Sequence, residues 1–316
     1  MSNLDTPNSI EDQIDLMKKY LVFTKRIRMR KLLSYSGYFR ISRYGKYLLS
    51  FTSILRTKPK QDLLFDVYEF DVELRKLFFS FTKRAEIQFK SHLSNAVSLK
   101  TTDPIFYLSD NYYTKSRGER DRQKRNKHIN LYPKFKRSIV AAEKDLRKSI
   151  NKYPEFKEYR RGGTRFSKKI PCWAAFSYFE FGVTTNMYAY LNGDLRKDVL
   201  KYGYSKTRYE KQTTKQMDTW LDAIRNLRNV CSHHNKLVGK TSSIVLLDSE
   251  DDASLLPSQT DLFSRIYALK KVLRTQDSDE LKSELQKIIK KSKFDIYNFN
   301  ILPRDWESLF ERIKNL

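Results

Sequence analysis

Between Leu16 and Lys60 the chain has no aspartate or glutamate, while thirteen Lys or Arg stand in the same stretch. Turn-forming residues are also scarce, with nine glycines and eight prolines in 316 residues. That argues against a fold of many short strands and against a Gly/Pro-rich disordered chain. Two cysteines, Cys172 and Cys231, cannot build a disulfide framework, and both sit in apolar helical surroundings as reduced, buried residues. No apolar run approaches the roughly 20 residues of a membrane-spanning helix. The first sixteen residues are polar and acidic rather than an apolar leader, so the expectation is a soluble, cytoplasmic protein without membrane association. Four histidines leave little material for a metal centre.

What the chain does have is positive charge and apolar residues. Hydrophobic residues make up 40%, enough for a sizeable core. The formal net charge is +25. It is concentrated: Lys115 to Lys169 holds twenty basic and six acidic residues, and outside this stretch and 16–60 the chain is close to neutral. Concentrated charge indicates a binding surface for a polyanion, nucleic acid ahead of a membrane surface.

Abundant Leu, Lys, Arg and Glu with few breakers give an all-α expectation. Residues 1–15 are expected to form a flexible N-terminal tail, although Ser9 can cap a helix with Ile10, Ile14, Met17 and Leu21 as its apolar stripe. Gly37 and Gly45 are expected to break "YSGYFRISRYGKYLLSF" into turns. Asp62 to Ser98 reads as one long helix. Residues 102–133 break periodicity, and "SRGERDRQKRNKH" within them suits a charged helix, a loop or a segment ordered by a partner. "FKRSIVAAEKDLRKSINKY" reads as a helix, "RRGGTRFSKKIP" as a loop, and "PCWAAFSYFEFGVTTNMYAYL" as a helix opened by Pro171. "TSSIVLLDSEDDASLLPSQ" holds a strand-like run and an acidic loop. Near the end, "SDELKSELQKIIKKS" has Asp277 and Glu280 at capping-box spacing, and "RDWESLFERIKNL" is amphipathic.

The densest cluster of chemistry is "LRNVCSHHNKL", Leu227 to Leu237. On a helix, Met217, Trp220, Leu221, Ile224, Leu227 and Cys231 share a core-facing stripe. Arg225, Arg228, Asn229, Ser232 and His233 share the neighbouring polar one. Arg228 and His233 are separated by roughly 7.5 Å along the axis and about 140° around it. They do not touch, but both can reach one phosphate, with Arg225 between them in projection. A histidine can take a proton from a ribose 2′-OH or give one to the leaving 5′-oxygen. A guanidinium can hold the phosphate and its developing charge, with no metal or other cofactor. Two copies of the helix across a symmetric dimer supply both acid and base. The plainer alternative is that Arg and His merely decorate the last turn of a helix, where its dipole favours them. A zinc site is disfavoured, since adjacent helical histidines diverge by about 100° and no usual ligand spacing is present.

Four stretches in order resemble a known family. "LSYSGYFRISRYGKYL", "DVYEFDVELRKLFFSFTKRAEIQFKSHL", "IPCWAAFSYFEFGVTTNMYAYL" and "LRNVCSHHNKL" are similar to the "GYYRLSGY", "LYEFDRKLR…RIEVALR", "LPIWMALEVLSFGTLSRLYxNL" and "LRNICAHHSRLW" elements of the abortive-infection (Abi) family of the D/F type. The resemblance runs from about Leu16 to Leu237. Arg43 stands where the family has a glycine, and the final tryptophan is missing, with Gly239 nearby. The resemblance implies a HEPN-like helical bundle with additional N- and C-terminal helices. It divides the chain into a helical domain at 16–245, with a basic insertion at about 115–169, and a helical extension at 246–316. It implies a dimeric, metal-independent endoribonuclease toxin of a phage-defence system, restrained by a structured non-coding RNA. By resemblance Arg228 and His233 are the catalytic pair and Asn229 orients them, with Arg225 and His234 in support.

The expected RNA-binding residues are Arg28, Arg30, Lys31, Arg40, Arg43, Arg117, Arg120, Arg122, Lys124, Arg125, Lys127, Arg160, Arg161, Arg165, Lys168 and Lys169. Tyr38 and Tyr44 are candidates for base stacking beside them, or else Tyr38 and Phe39 pack in the core and Arg40 pairs with an acid. Glu69, Asp71 and Arg75 read as structural, with Asp71 and Arg75 at i,i+4 spacing, and Arg84 and Glu86 as support for the site from a facing helix. Trp173, Phe176, Phe179 and Phe181 read as core. A non-catalytic RNA-binding protein of the same defence system and a DNA-binding regulator stay open beside the nuclease.

Overall fold

Free of glycine and proline, Gln61–Thr101 forms a single 41-residue helix, roughly 60 Å long, around which the other elements pack. The computed structural model describes residues 8–149, 152, 153, 156, 169–204, 211–242, 244–246 and 255–315. Its helices in chain order are α1 (Ile10–Met17), α2 (Arg26–Ser36), α3 (Tyr38–Leu49), α4 (Thr52–Leu55), α5 (Gln61–Thr101), α6 (Arg122–Lys148), α7 (Cys172–Tyr178), α8 (Phe181–Tyr190), α9 (Gly193–Gly203), α10 (Lys211–Ser232), α11 (Leu262–Val272), α12 (Thr275–Lys290) and α13 (Trp306–Arg312). Among the described residues there is no strand, only two isolated bridges, Val22 with Lys60 and Tyr113 with Leu191. The fold is all-α, as composition implies. No helix among them is long and apolar enough to cross a membrane.

Helices α3, α7, α8, α9, α10, α11 and α12 all touch α5. Its core face runs from Leu64 through Leu74, Phe78, Ala85 and Phe89 to Val97, all buried. Helix α10 packs on both α5 and α11. Its predicted stripe of Met217, Trp220, Leu221, Ile224, Leu227 and Cys231 is buried throughout. Arg196 on α9 reaches Asp218 on α10 at 2.7 Å, tying those two helices together.

Several local expectations change. Helix α1 begins at Ile10, and Ile14 is fully buried, so residues 10–15 are not a tail. Its cap is the expected one: the Asp12 amide donates to the Ser9 hydroxyl, and the Ser9 amide to the Asp12 carboxylate. Gly37 is a break, lying between α2 and α3 at φ 77°, a backbone that L side chains resist. Gly45 is not a break. It sits inside α3, where a Cβ would lie 2.9 Å from Tyr20 Cβ, so close packing rather than a turn uses it. Pro133 does not end a helix either: α6 runs through it from an Asp121 cap, absorbing "RQKRNKH" into a charged helix.

The "PCWAAFSYFEFG" run divides into α7 and α8 at Phe179 and Glu180, which are extended. Phe176, Phe179 and Phe181 are core, whereas Trp173 is half-exposed. Described residues of 241–259 hold no strand, although Ser242 and Leu246 donate backbone hydrogen bonds to the Thr260 and Gln259 carbonyls. Asp277 and Glu280 do not cap α12. Both accept from Arg84 instead, which draws Arg84 away from the expected site.

Candidate active site at the end of helix α10

Helix α10 ends in a defined way. The Asn235 amide donates to the Val230 carbonyl at 3.0 Å and the His234 amide to the Cys231 carbonyl at 3.1 Å. This is the Schellman closure of a helix, with His234 in the left-handed residue's place at φ 51°. Glycine normally stands there, and histidine tolerates it better than most residues. The second histidine of the pair therefore terminates the helix. His233, one residue earlier, stays on the polar stripe. Its side chain is exposed and, among the described residues, makes no hydrogen bond.

His233, Arg228, Arg225 and Asn229 line one open cleft of about 540 Å³. The opposite wall is the break between α7 and α8, Glu180 to Gly182, and Ile244 closes one side. The sequence stripe thus becomes a shared concavity. Each polar residue is held differently. Arg228 Nη1 donates to Asn229 Oδ1 at 3.2 Å, so Asn229 contacts the guanidinium directly. Among the described residues Arg228 Nε is buried without a hydrogen-bond partner, and its nearest acid is Glu86 Oε2 at 3.9 Å. Arg225 pairs with Asp222 at 2.8 Å, one turn back along the same helix.

Glu86 is the support the sequence indicated on a facing helix. It is 3% exposed and holds Lys90 at 2.6 Å and Lys83 at 3.2 Å besides facing Arg228. Lys90 in turn donates to the Phe179 carbonyl at the helix break that walls the cleft. Burial pushes the Glu86 carboxyl up, but the Lys90 and Lys83 ammoniums outweigh it and hold it below the usual carboxylate range. A lowered carboxyl stabilises the fold above its unfolded pKa of about 4.3, and the contribution is lost as pH falls through the folded value. Glu86→Gln is expected to destabilise the protein by about 1–3 kcal/mol near neutral pH. The gap between wild type and variant should close below about pH 4. Urea unfolding of both proteins at pH 7 and at acid pH measures this; a gap independent of pH would show that the carboxylate charge is not what matters.

The other histidines lie elsewhere. His92 packs edge-on against Tyr202 and Tyr204, and burial lowers its pKa to about 4. Cys231 is buried, and burial pushes its thiol up to about 12, far from a ligating thiolate. Among the described residues no three His, Cys, Asp or Glu gather as a metal-ligand set.

The basic residues divide into two groups. Arg28 pairs with Glu69 at 3.0 Å and stacks on Phe65, Arg30 pairs with Glu11, and Arg117 stacks on Tyr190 while donating to Asn186. Arg28 and Arg30 thus sit in surface ion pairs, with their side chains 44% and 55% exposed, while Arg117 is partly buried. Arg120, Arg122, Lys124, Arg125 and Lys127 are exposed along the start of α6, and Lys31 and Lys169 are also exposed. Arg40 is half-buried with no ion pair among the described residues, and Arg43 stacks on Phe39 at 4.3 Å. Arg160, Arg161, Arg165 and Lys168 lie outside the described residues, as does most of the "RRGGTRFSKKIP" loop. Tyr44 is fully buried on Asp71 rather than offered for stacking, and Phe39, expected in the core, is exposed.

The family model of Abi-like proteins matches residues 31–238, two thirds of the chain, from within α2 to the turn after α10. The chain belongs to the Abi-like protein family. No curated protein and no solved structure matches it. The Abi-like region contains the whole polar stripe of α10 and the Glu86 network, and leaves out α1 and α11–α13. Membership points to abortive-infection defence. Sequence reasoning missed Glu180, Gly182, Asn226 and Ile244, which complete the cleft wall. Asn226 belongs to α10 itself, and Glu180, Gly182 and Ile244 carry no motif and meet α10 only through packing.

Proposed function

We propose that this protein is a metal-independent endoribonuclease of the HEPN type that acts as the toxin of an abortive-infection defence system. The observation that carries the reading is the open cleft in which an exposed imidazole, His233, shares a wall with the Arg225 and Arg228 guanidiniums and Asn229. Arg228 holds the scissile phosphate, steadied by Asn229 and by the Glu86 charge behind it. His233 takes the proton of the ribose 2′-OH as that oxygen attacks phosphorus, and the bond to the leaving 5′-oxygen breaks. The product carries a 2′,3′-cyclic phosphate. A second protomer supplies the acid that protonates the leaving oxygen. The exposed cations at the start of α6 hold a structured RNA that restrains the toxin.

Incubating the purified protein with single-stranded RNA and a chelator tests this. Cleavage that persists and leaves 2′,3′-cyclic phosphate ends is the expected outcome. Products with linear 3′-hydroxyl ends, or loss of cleavage on chelation, would exclude the mechanism. Tight RNA binding with no cleavage by the wild-type protein would leave the non-catalytic binding protein in its place.

A further inference from the structure

Beyond the turn that ends α10 lies a second cleft, of about 530 Å³, lined by Arg43, Asn235, Lys236, Gly239, Lys240 and Thr241. It contains three cations and no carboxylate. Lys236 is half-buried, with its ammonium 4.2 Å from the centre of the Tyr47 ring and no ion pair among the described residues. The nearest acid, Asp71, is already taken by Tyr44, Arg75 and the Leu237 and Val238 amides. Gly239 shapes the floor. It stands at φ 62°, and a Cβ there would fall 2.1 Å from the Tyr47 ring, so only glycine lets the loop lie flat on that ring. At the rim Arg43 stacks on Phe39, which is nonetheless 74% exposed.

A concave site with three unmatched cations favours an anion. An exposed aromatic ring at its rim favours an anion joined to a base, because base–aromatic stacking tolerates any sequence. The site also follows directly on the first cleft. His233 belongs to one and Asn235 to the other, and two residues span at most about 7.6 Å.

We propose that this cleft is a second phosphate subsite for the RNA strand cut at His233, in which Arg43, Lys236 and Lys240 hold a neighbouring phosphodiester and Phe39 stacks the adjoining base. The inference rests on the proposed RNA substrate. It gives Arg43, which replaces a glycine of the family pattern, a role in setting where the strand lies.

The charge on Lys236 provides a signature. Burial lowers its pKa to about 8, with Asp71 on α5 pulling it up and Arg43 on α3 pushing it further down. The Tyr47 ring beneath its ammonium and Lys240 in the cleft are its other neighbours. Anion binding needs the charged form, so this part of the affinity is present below about pH 8 and lost as pH rises through it.

The test uses the full chain and a 2′-O-methylated single-stranded oligoribonucleotide, which lacks the attacking hydroxyl and is not cut. Arg43→Gln and Lys240→Gln, both at the cleft surface, are each expected to weaken binding severalfold and lower the salt slope by about one. Phe39→Ala is expected to cost about 5- to 100-fold with the slope unchanged. Wild-type affinity should fall between pH 7 and 9, and Lys236→Arg should remove that fall. If the wild-type protein binds but Arg43→Gln and Lys240→Gln leave affinity and slope unchanged, the subsite is overturned and the RNA reading stands. Failure of the wild-type protein to bind the oligonucleotide overturns the RNA reading and this inference together.

Discussion

His233→Ala is expected to slow RNA cleavage by about 10²–10⁴-fold while leaving the folded protein intact. The first half follows from chemistry: an imidazole in the cleft can move a proton to or from the 2′-oxygen. The second half follows from structure. The His233 side chain is exposed and holds nothing else in place, and the helix is closed by the His234 and Asn235 amides. Arg228→Ala should cost a comparable 10²–10³-fold. Arg228→Lys should recover only part of it, because an ammonium lacks the planar fork that faces both a phosphate and Asn229. His234→Gly serves as the control. It suits the left-handed backbone better and should cleave at near wild-type rate. Equal cleavage by wild type and His233→Ala would remove the imidazole from the mechanism.

Asp71→Ala is expected to be the most damaging substitution to stability, at about 3–5 kcal/mol. Its carboxylate has no solvent exposure. It accepts from the Tyr44 hydroxyl at 2.6 Å and from the Leu237 and Val238 amides at 2.9 and 2.7 Å, and pairs with Arg75 at 2.9 Å. Removing it leaves a buried guanidinium uncompensated and frees the turn that follows the site. The same carboxylate thus joins α3, α5 and the chain leaving α10, with the two clefts on either side of that turn. Denaturant unfolding measures the loss. A change under about 1 kcal/mol would mean that the surrounding packing, not the carboxylate, holds the turn.

The fold class and the polar stripe of α10 were legible in the chain because both are local. Period-3.6 patterning placed the core stripe of α10 and the length of α5, and Ser9 announced α1. The same pattern set Arg225, Arg228, Asn229 and His233 on one stripe. Helix α11 escaped notice because all of Leu262–Val272 is buried, which erases the contrast between faces. Three basic residues lie inside it: Arg265, Lys270 and Lys271 each donate to a carbonyl, of Ile244, Phe310 and Lys314 respectively.

Sequence alone determined that the chain is helical and that Arg225, Arg228, Asn229 and His233 share one stripe of α10, since residue type and helical period need no partner. Only the tertiary structure decided that the α7–α8 break lines one cleft with His233, and that Arg28, Arg30 and Arg117 meet Glu69, Glu11 and Tyr190. It also brought Arg43 beside Lys236 and Lys240. These are meetings between residues tens to hundreds of positions apart, decided by how helices pack around α5, and no local pattern encodes them.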